Sequence, residues 1–119
     1  MKILFVGDSF TEGAELEYPG KNRFSKIVSD HYQTPEINIS RSGAANDEIF
    51  LRLIEYLLEN EKPDVCVVQL TDIYRVTIPH KEGYNNLNPN SHFNPTKGKI
   101  AELIFRNSAE NMLSWYNLT

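Results

Sequence analysis

Apolar residues of this chain are grouped in short runs that alternate with segments of helical periodicity. Three apolar runs predict strands, over residues 2–6, 37–39 and 64–70. Apolar positions three and four residues apart predict three helices, over residues 23–32, 48–60 and 99–117. Because hydrophobicity is continuous along the first and third strands, we expect both faces of the sheet to be covered, as is typical of parallel sheets.

The helix over residues 48–60 has the clearest amphipathic pattern. Its predicted inward-facing residues are Ile49, Phe50, Leu53, Ile54, Leu57 and Leu58. Its predicted solvent-facing residues are Glu48, Arg52, Glu55 and Glu59. Asn46 or Asp47 is placed to cap its N-terminus, and Cys66, in the third strand, is expected to be a small buried hydrophobe.

The alternation of strands and helices predicts one α/β domain over residues 1–119, with three layers (α/β/α) around a parallel sheet. Residues 71–97 differ from the rest because they have no clear periodicity and are rich in Asn and Pro. A loop of this length is uncommon in a compact domain and is usually functional or disordered.

Composition narrows the class of protein. With 119 residues and a net charge of −4, the chain suits a single domain, and it lacks the basic balance that favours nucleic-acid binding. No apolar run approaches the roughly 18 residues that span a bilayer, and the N-terminal run is too short for a signal peptide. The single cysteine excludes an internal disulfide and a multi-cysteine zinc site. We therefore expect a soluble, cytoplasmic protein without a metal, a cofactor or a membrane partner.

The strongest candidate for chemistry is the segment Gly-Asp-Ser-Phe-Thr-Glu-Gly over residues 7–13, directly after the first predicted strand. Ligands of open α/β sheets bind at the carboxyl ends of the strands, so Ser9 lies where a reactive group belongs. Glycines at both ends of the segment allow a tight turn and the close approach of a ligand. Capping of a helix by Asp8 or Ser9 is the alternative explanation of the same residues.

This segment resembles the first block of the GDSL, or SGNH, hydrolase superfamily, with Phe10 in place of the usual leucine. The second block of that family is a glycine after the second strand, and Gly43 matches it. The third block, Gly-x-Asn-Asp after the third strand, is matched only at Asp72, because Thr71 stands where the Asn is expected. The resemblance implies a flavodoxin-like SGNH-hydrolase fold.

The resemblance also implies a serine esterase or acylhydrolase whose substrate is a small-molecule or carbohydrate ester. Ser9 would be the nucleophile that attacks an ester or acetyl carbonyl, and Asp8 belongs to the same block. The N–H groups of Ser9 and Gly43 would form two parts of an oxyanion hole. The Thr71 hydroxyl, or alternatively the Asn46 amide, would be the third donor.

The catalytic base is where the chain departs from the family. The family takes its histidine from an Asp-x-x-His block near the C-terminus, and none of His31, His80 and His92 follows that pattern. His80 and His92 are the candidate bases, whereas His31 is expected at a surface or packed position on the first helix. We therefore expect the chain to be the N-terminal part of a longer domain, with an incomplete sheet that favours self-association.

Two other functions fit the same scaffold. A non-catalytic module could recognise a carbohydrate or a protein through the Tyr- and Asn-rich residues 84–94. A flavodoxin-like mononucleotide binder fits less well, because the first loop lacks a run of Ser and Thr donors for phosphate. Arg75 is a candidate contact for an anionic or sugar substrate, or a surface salt bridge.

Overall fold

The computed structural model of the protein describes residues 1–80 and 83–87. Its elements are β1 (Ile3–Val6), α1 (Ser9–Glu12), α2 (Pro19–Asn22), α3 (Phe24–His31), β2 (Glu36–Asn38), α4 (Asn46–Glu59), β3 (Val65–Val68), β4 (Val76–His80) and β5 (Gly83–Leu87). The predicted mixed α/β class is confirmed. The predicted helix over residues 99–117 and the candidate base His92 lie outside the described residues.

The first three strands form a parallel sheet in the order β2-β1-β3, so the predicted parallel pairing is confirmed. Leu4 in the middle strand is paired with Ile37 on one side and with Cys66 on the other. The chain adds β2 on one side of β1 and then crosses to add β3 on the other side. The carboxyl ends of all three strands therefore meet at one edge, with the reversal of strand order at β1, where open α/β sheets bind their ligands.

The core is built around β1 because that strand has a neighbour on each side. All four of its residues are buried, together with Ala44, Ala45 and Ile49. Val6, Ala44 and Ile49 pack against one another at the carboxyl end of the sheet, and Ile39, Leu53 and Val68 cover them. The segment that enters α4 is thereby anchored close to the end of β1.

The predicted faces of α4 are wrong in part. The helix begins at Asn46 and its N-cap is Ala45, so neither Asn46 nor Asp47 caps it. Glu48 is buried beside Ile49, whereas four residues predicted to face inward are exposed: Phe50, Ile54, Leu57 and Leu58. The buried face of α4 includes Glu48 because Arg41 forms an ion pair with the carboxylate of that residue. Periodicity could not reveal that partner.

The expected burial of Cys66 is also wrong. Cys66 is exposed, and its neighbour Val65 is exposed too. Within the described residues β3 has a strand neighbour on one side, and only its carboxyl end packs into the core, through Val68. An apolar run shows that a strand is suited to burial, but the packing of other elements decides how much of it is covered.

Residues 71–97 contain regular structure that the sequence analysis missed. β4 and β5 form an antiparallel hairpin in which Val76 is paired with Leu87 and His80 with Gly83. The Thr77 hydroxyl lies 2.7 Å from Asp47 Oδ1 in α4. The Asn-rich second strand has low β-propensity, so contacts with α4 and with its partner strand override the local preference.

No helix in the described part of the chain has the length and apolar composition needed to cross a membrane.

Candidate active site

The segment after β1 folds as a tight turn into α1. Asp8 is the N-cap of α1, and its side chain accepts a hydrogen bond of 2.9 Å from the Phe10 N–H. Ser9 is the first residue of the helix, and Gly13 ends it in the left-handed conformation, with φ of 76°. The capping interpretation thus holds for Asp8, and it leaves Ser9 half-buried at the carboxyl edge of the sheet.

Gln69, at the end of β3, holds this turn in place. Its Oε1 accepts hydrogen bonds from the Asp8 N–H at 3.1 Å and from the Thr11 hydroxyl at 2.7 Å. A Cβ at Gly7 would lie 2.5 Å from both Gln69 Oε1 and Thr11 Oγ1, so only glycine fits there. Sequence reasoning missed Gln69, whose only signal was its place at the end of the third strand, opposite the first loop.

The loop after β2 lies against the same turn. The Arg41 N–H donates to the Gly7 carbonyl at 3.2 Å, and the Ser42 N–H donates to Glu12 Oε2 at 2.7 Å. The Ser42 hydroxyl is bonded to the same carboxylate oxygen. The structure therefore brings the loops that carry Ser9 and Gly43 to one edge of the sheet, where Glu12 joins them.

The two predicted oxyanion donors have no competing partner within the described residues. Neither the Ser9 N–H nor the Gly43 N–H donates a hydrogen bond to another described residue. Gly43 is exposed with φ of 79°, and nothing lies within 4 Å of the position that a Cβ would take. Both N–H groups are therefore free to bind a developing negative charge, which is the chemical requirement for an oxyanion hole.

The loop after β3 is tied to α4 by Asn46. The Asn46 amide donates to the Thr71 carbonyl at 3.1 Å, and its Oδ1 accepts from the Thr71 N–H at 2.7 Å. This pair of bonds occupies the Asn46 side chain, so its alternative role as an oxyanion donor conflicts with the observed contacts. The Thr71 hydroxyl has no hydrogen bond to a described residue, so it is available as a donor.

Asp8 and Arg75 form an ion pair across the same edge. Arg75 Nη1 lies 3.2 Å from Asp8 Oδ2, and the carboxylate of Asp8 is nearly buried. The salt-bridge interpretation of Arg75 is the one that the structure bears out. Since Asp8 also caps α1, its two oxygens connect the turn that carries Ser9 to the segment that enters β4.

A second ion pair connects α4 to the β2 loop and to the hairpin. Arg41 binds Glu48 through two nitrogens, with 2.7 Å between Nη2 and Oε2, and Asn86 Nδ2 lies 2.5 Å from the same oxygen. Burial by itself raises the pKa of Glu48, but the hydrogen bonds from Arg41 and Asn86 and the charge of Arg41 outweigh it and lower that pKa below its usual range. Glu48 is therefore a buried carboxylate that holds the site together, contrary to its predicted solvent-facing position.

The histidines are placed unequally. His31 is exposed at the end of α3, which leads to the amino end of β2, so it lies at the opposite edge from Ser9. The backbone of His80 ends β4, opposite Gly83. His92 lies outside the described residues, so the choice between the two candidate bases stays a prediction.

Among the described residues, no three His, Cys, Asp or Glu side chains are grouped closely enough to hold a metal ion. No family model matches the chain, and the comparisons with curated proteins and with solved structures likewise produce no match.

Proposed function

We propose that this chain carries the nucleophile and the oxyanion-binding loops of a serine ester hydrolase of the SGNH type. The observation that carries the proposal is the meeting of the Ser9 turn and the Gly43 loop at the carboxyl edge of neighbouring parallel strands, each with a backbone N–H that has no described partner. Resemblance in the first and second sequence blocks suggested Ser9 and Gly43, and their convergence in space is independent support.

The fold proposed with this function is a flavodoxin-like, three-layer α/β/α arrangement. Crossovers between parallel strands are right-handed in nearly all proteins. Since β2 and β3 flank β1 on opposite sides, two right-handed crossovers would place α3 and α4 on opposite faces of the sheet. The strand order β2-β1-β3 agrees with the first part of the flavodoxin-like order.

The proposed reaction begins with attack of Ser9 Oγ on the carbonyl carbon of an ester. The oxygen of the tetrahedral intermediate would accept hydrogen bonds from the Ser9 and Gly43 N–H groups, with the Thr71 hydroxyl as third donor. The C–O bond to the alcohol then breaks, the hydroxyl proton of Ser9 ends on the departing alcohol, and water releases the acid from the acyl-enzyme. Asp8 acts in this scheme as a positioning residue, because it caps α1 and pairs with Arg75.

Labelling with a fluorophosphonate tests the proposal. We expect the label on the peptide that contains Ser9, located by mass spectrometry, and no label on that peptide in the Ser9→Ala variant. The free energy of unfolding of the variant should lie within about 1 kcal/mol of that of the parent protein, because the Ser9 side chain makes no hydrogen bond to a described residue. A folded parent protein whose Ser9 reacts with the fluorophosphonate no faster than its other serines would exclude the esterase and favour a non-catalytic binding module.

A further inference from the structure

An open cavity of about 450 Å³ lies beside Ser9. Ser9, Phe10, Leu16 and Phe24 line it, whereas neither Gly43 nor Thr71 does. Its volume falls in the range of roughly 300–1,000 Å³ found for small-molecule sites. Ser9 therefore borders a largely apolar cavity whose lining does not include the other two predicted oxyanion donors.

The aromatic wall of the cavity continues the hydrophobic core to the surface. The ring of Phe24 packs edge-on against the core residue Phe5 at a centroid distance of 5.8 Å, and lies 6.2 Å from the ring of Phe10. Phe10 is nevertheless 75% exposed, and Leu16 on the same cavity is 40% exposed. Large apolar side chains left exposed around a concave site are typical of surfaces that bind an apolar ligand.

The turn at Gly13 builds the opposite wall. Its left-handed conformation reverses the chain after α1, and the Leu16 N–H donates to the Gly13 carbonyl at 3.0 Å. A Cβ on Gly13 would lie 3.2 Å from Leu16 Cδ1 and 2.9 Å from the Cβ of Arg23. The glycine is therefore required for Leu16 to fold back over the cavity, which makes the wall a feature of the fold and not of one side-chain rotamer.

We propose that this cavity binds the apolar acyl chain of a neutral ester, longer than acetyl; this inference rests on the proposed function. Because Ser9 itself lines the cavity, the group that stays bonded to Ser9 Oγ in the acyl-enzyme begins at its mouth. That group is the acyl chain, since the alcohol leaves when the acyl-enzyme forms. Glu15 also lines the cavity, and its negative charge repels an anionic ligand, so an uncharged acyl chain is favoured.

Chain-length specificity tests the inference. We would measure kcat/KM for p-nitrophenyl acetate, butyrate, hexanoate and octanoate, and in parallel for ethyl, butyl, hexyl and octyl acetate. Each buried methylene should raise kcat/KM by roughly three- to four-fold in the first series until the cavity is filled. Leu16→Trp, which fills the cavity, should remove this gain, and Ile27→Trp is the matched control, because Ile27 is an exposed residue of α3 that does not line the cavity.

The outcomes separate the inference from the function on which it rests. A gain with acyl length that Leu16→Trp abolishes and Ile27→Trp preserves supports it. Ester hydrolysis with no dependence on acyl length, or with a gain confined to the alkyl acetates, overturns it and leaves the esterase in place. An unlabelled Ser9 removes the proposed function instead. Binding of an apolar ligand in the cavity is then tested with the neutral fluorescent probe N-phenylnaphthylamine. The probe must bind Leu16→Trp at least ten-fold more weakly than it binds the parent protein, and equal binding to both proteins overturns the inference.

Discussion

Replacing Gln69 by Ala should destabilise the turn that carries Ser9 by more than the half-buried position of Gln69 suggests. The side chain is the acceptor for the Asp8 N–H and for the hydroxyl of Thr11, which is fully buried. Each polar group left buried without a partner costs about 1–3 kcal/mol. Water entering from the exposed side of the vacated space offsets part of this cost, so we expect the free energy of unfolding to fall by about 2–3 kcal/mol.

Urea denaturation followed by circular dichroism measures this loss as a lower midpoint with an unchanged slope. A double-mutant cycle isolates the bond itself: Thr11→Val alone should cost about 1 kcal/mol, and the double variant should lose less than the sum of the two, because no hydroxyl is then left unpaired. Lys62→Ala, an exposed residue, is the control and should change stability by less than about 0.5 kcal/mol. The hydrogen bond between Gln69 and Thr11 would be refuted if Gln69→Ala lost as little stability as the control, or if the losses of the two single variants simply added in the double variant.

Three further outcomes follow from the same structure. Gly13→Ala should lower the free energy of unfolding by at least about 1–2 kcal/mol, because Gly13 has a positive φ. Gly20→Ala, in a helix with open space around it, should leave the free energy of unfolding unchanged or raise it by up to about 1 kcal/mol. Equal urea midpoints for the two variants would contradict this prediction. The pKa of Glu48 is lowered in the folded protein, so the stabilisation that Glu48 contributes is present above its unfolded pKa near 4.5 and is lost as pH falls through the lower folded pKa. Glu48→Gln should flatten that part of the pH profile of stability. An unchanged profile would argue against the ion pair with Arg41. If neither His80 nor His92 acts as the base, the chain should accelerate ester hydrolysis only on the order of 10³-fold over water. A turnover of ~10 s⁻¹ would show that the chain supplies its own base, and single Ala substitutions of His80 and His92 would identify it.

Covalent labelling kinetics connect stability to function. If the hydrogen bonds of Gln69 hold Ser9 in position, Gln69→Ala should also slow the fluorophosphonate labelling of Ser9. The rate is measured without urea, where the variant is still folded, and Lys62→Ala should leave it unchanged. An unchanged labelling rate in a destabilised Gln69→Ala variant would mean that the turn keeps its shape without the glutamine.

The sequence by itself determined the elements whose signals are local. The apolar run after the N-terminus became the central strand, and Gly13 marked the end of the turn that follows it, because a run of buried residues and a positive φ each depend on few neighbours. Parallel pairing was also predictable, since continuous hydrophobicity and helical connections favour it. The candidate residues Ser9 and Gly43 then came to one edge as a consequence of that pairing.

Only the tertiary structure decided which polar groups were buried and what they bound. Glu48 is an exposed-face residue by periodicity, and it is buried because Arg41 and Asn86, 7 and 38 residues away along the chain, satisfy its charge. The hairpin forms from Asn-rich residues of low β-propensity because α4 offers partners to it. The only signal of Gln69 in the sequence is its place at the end of the third strand, because its role depends on contacts with the Gly7 turn, where a Cβ would lie 2.5 Å from Gln69 Oε1. Such contacts depend on the three-dimensional position of distant residues, which periodicity and propensity along the chain do not encode.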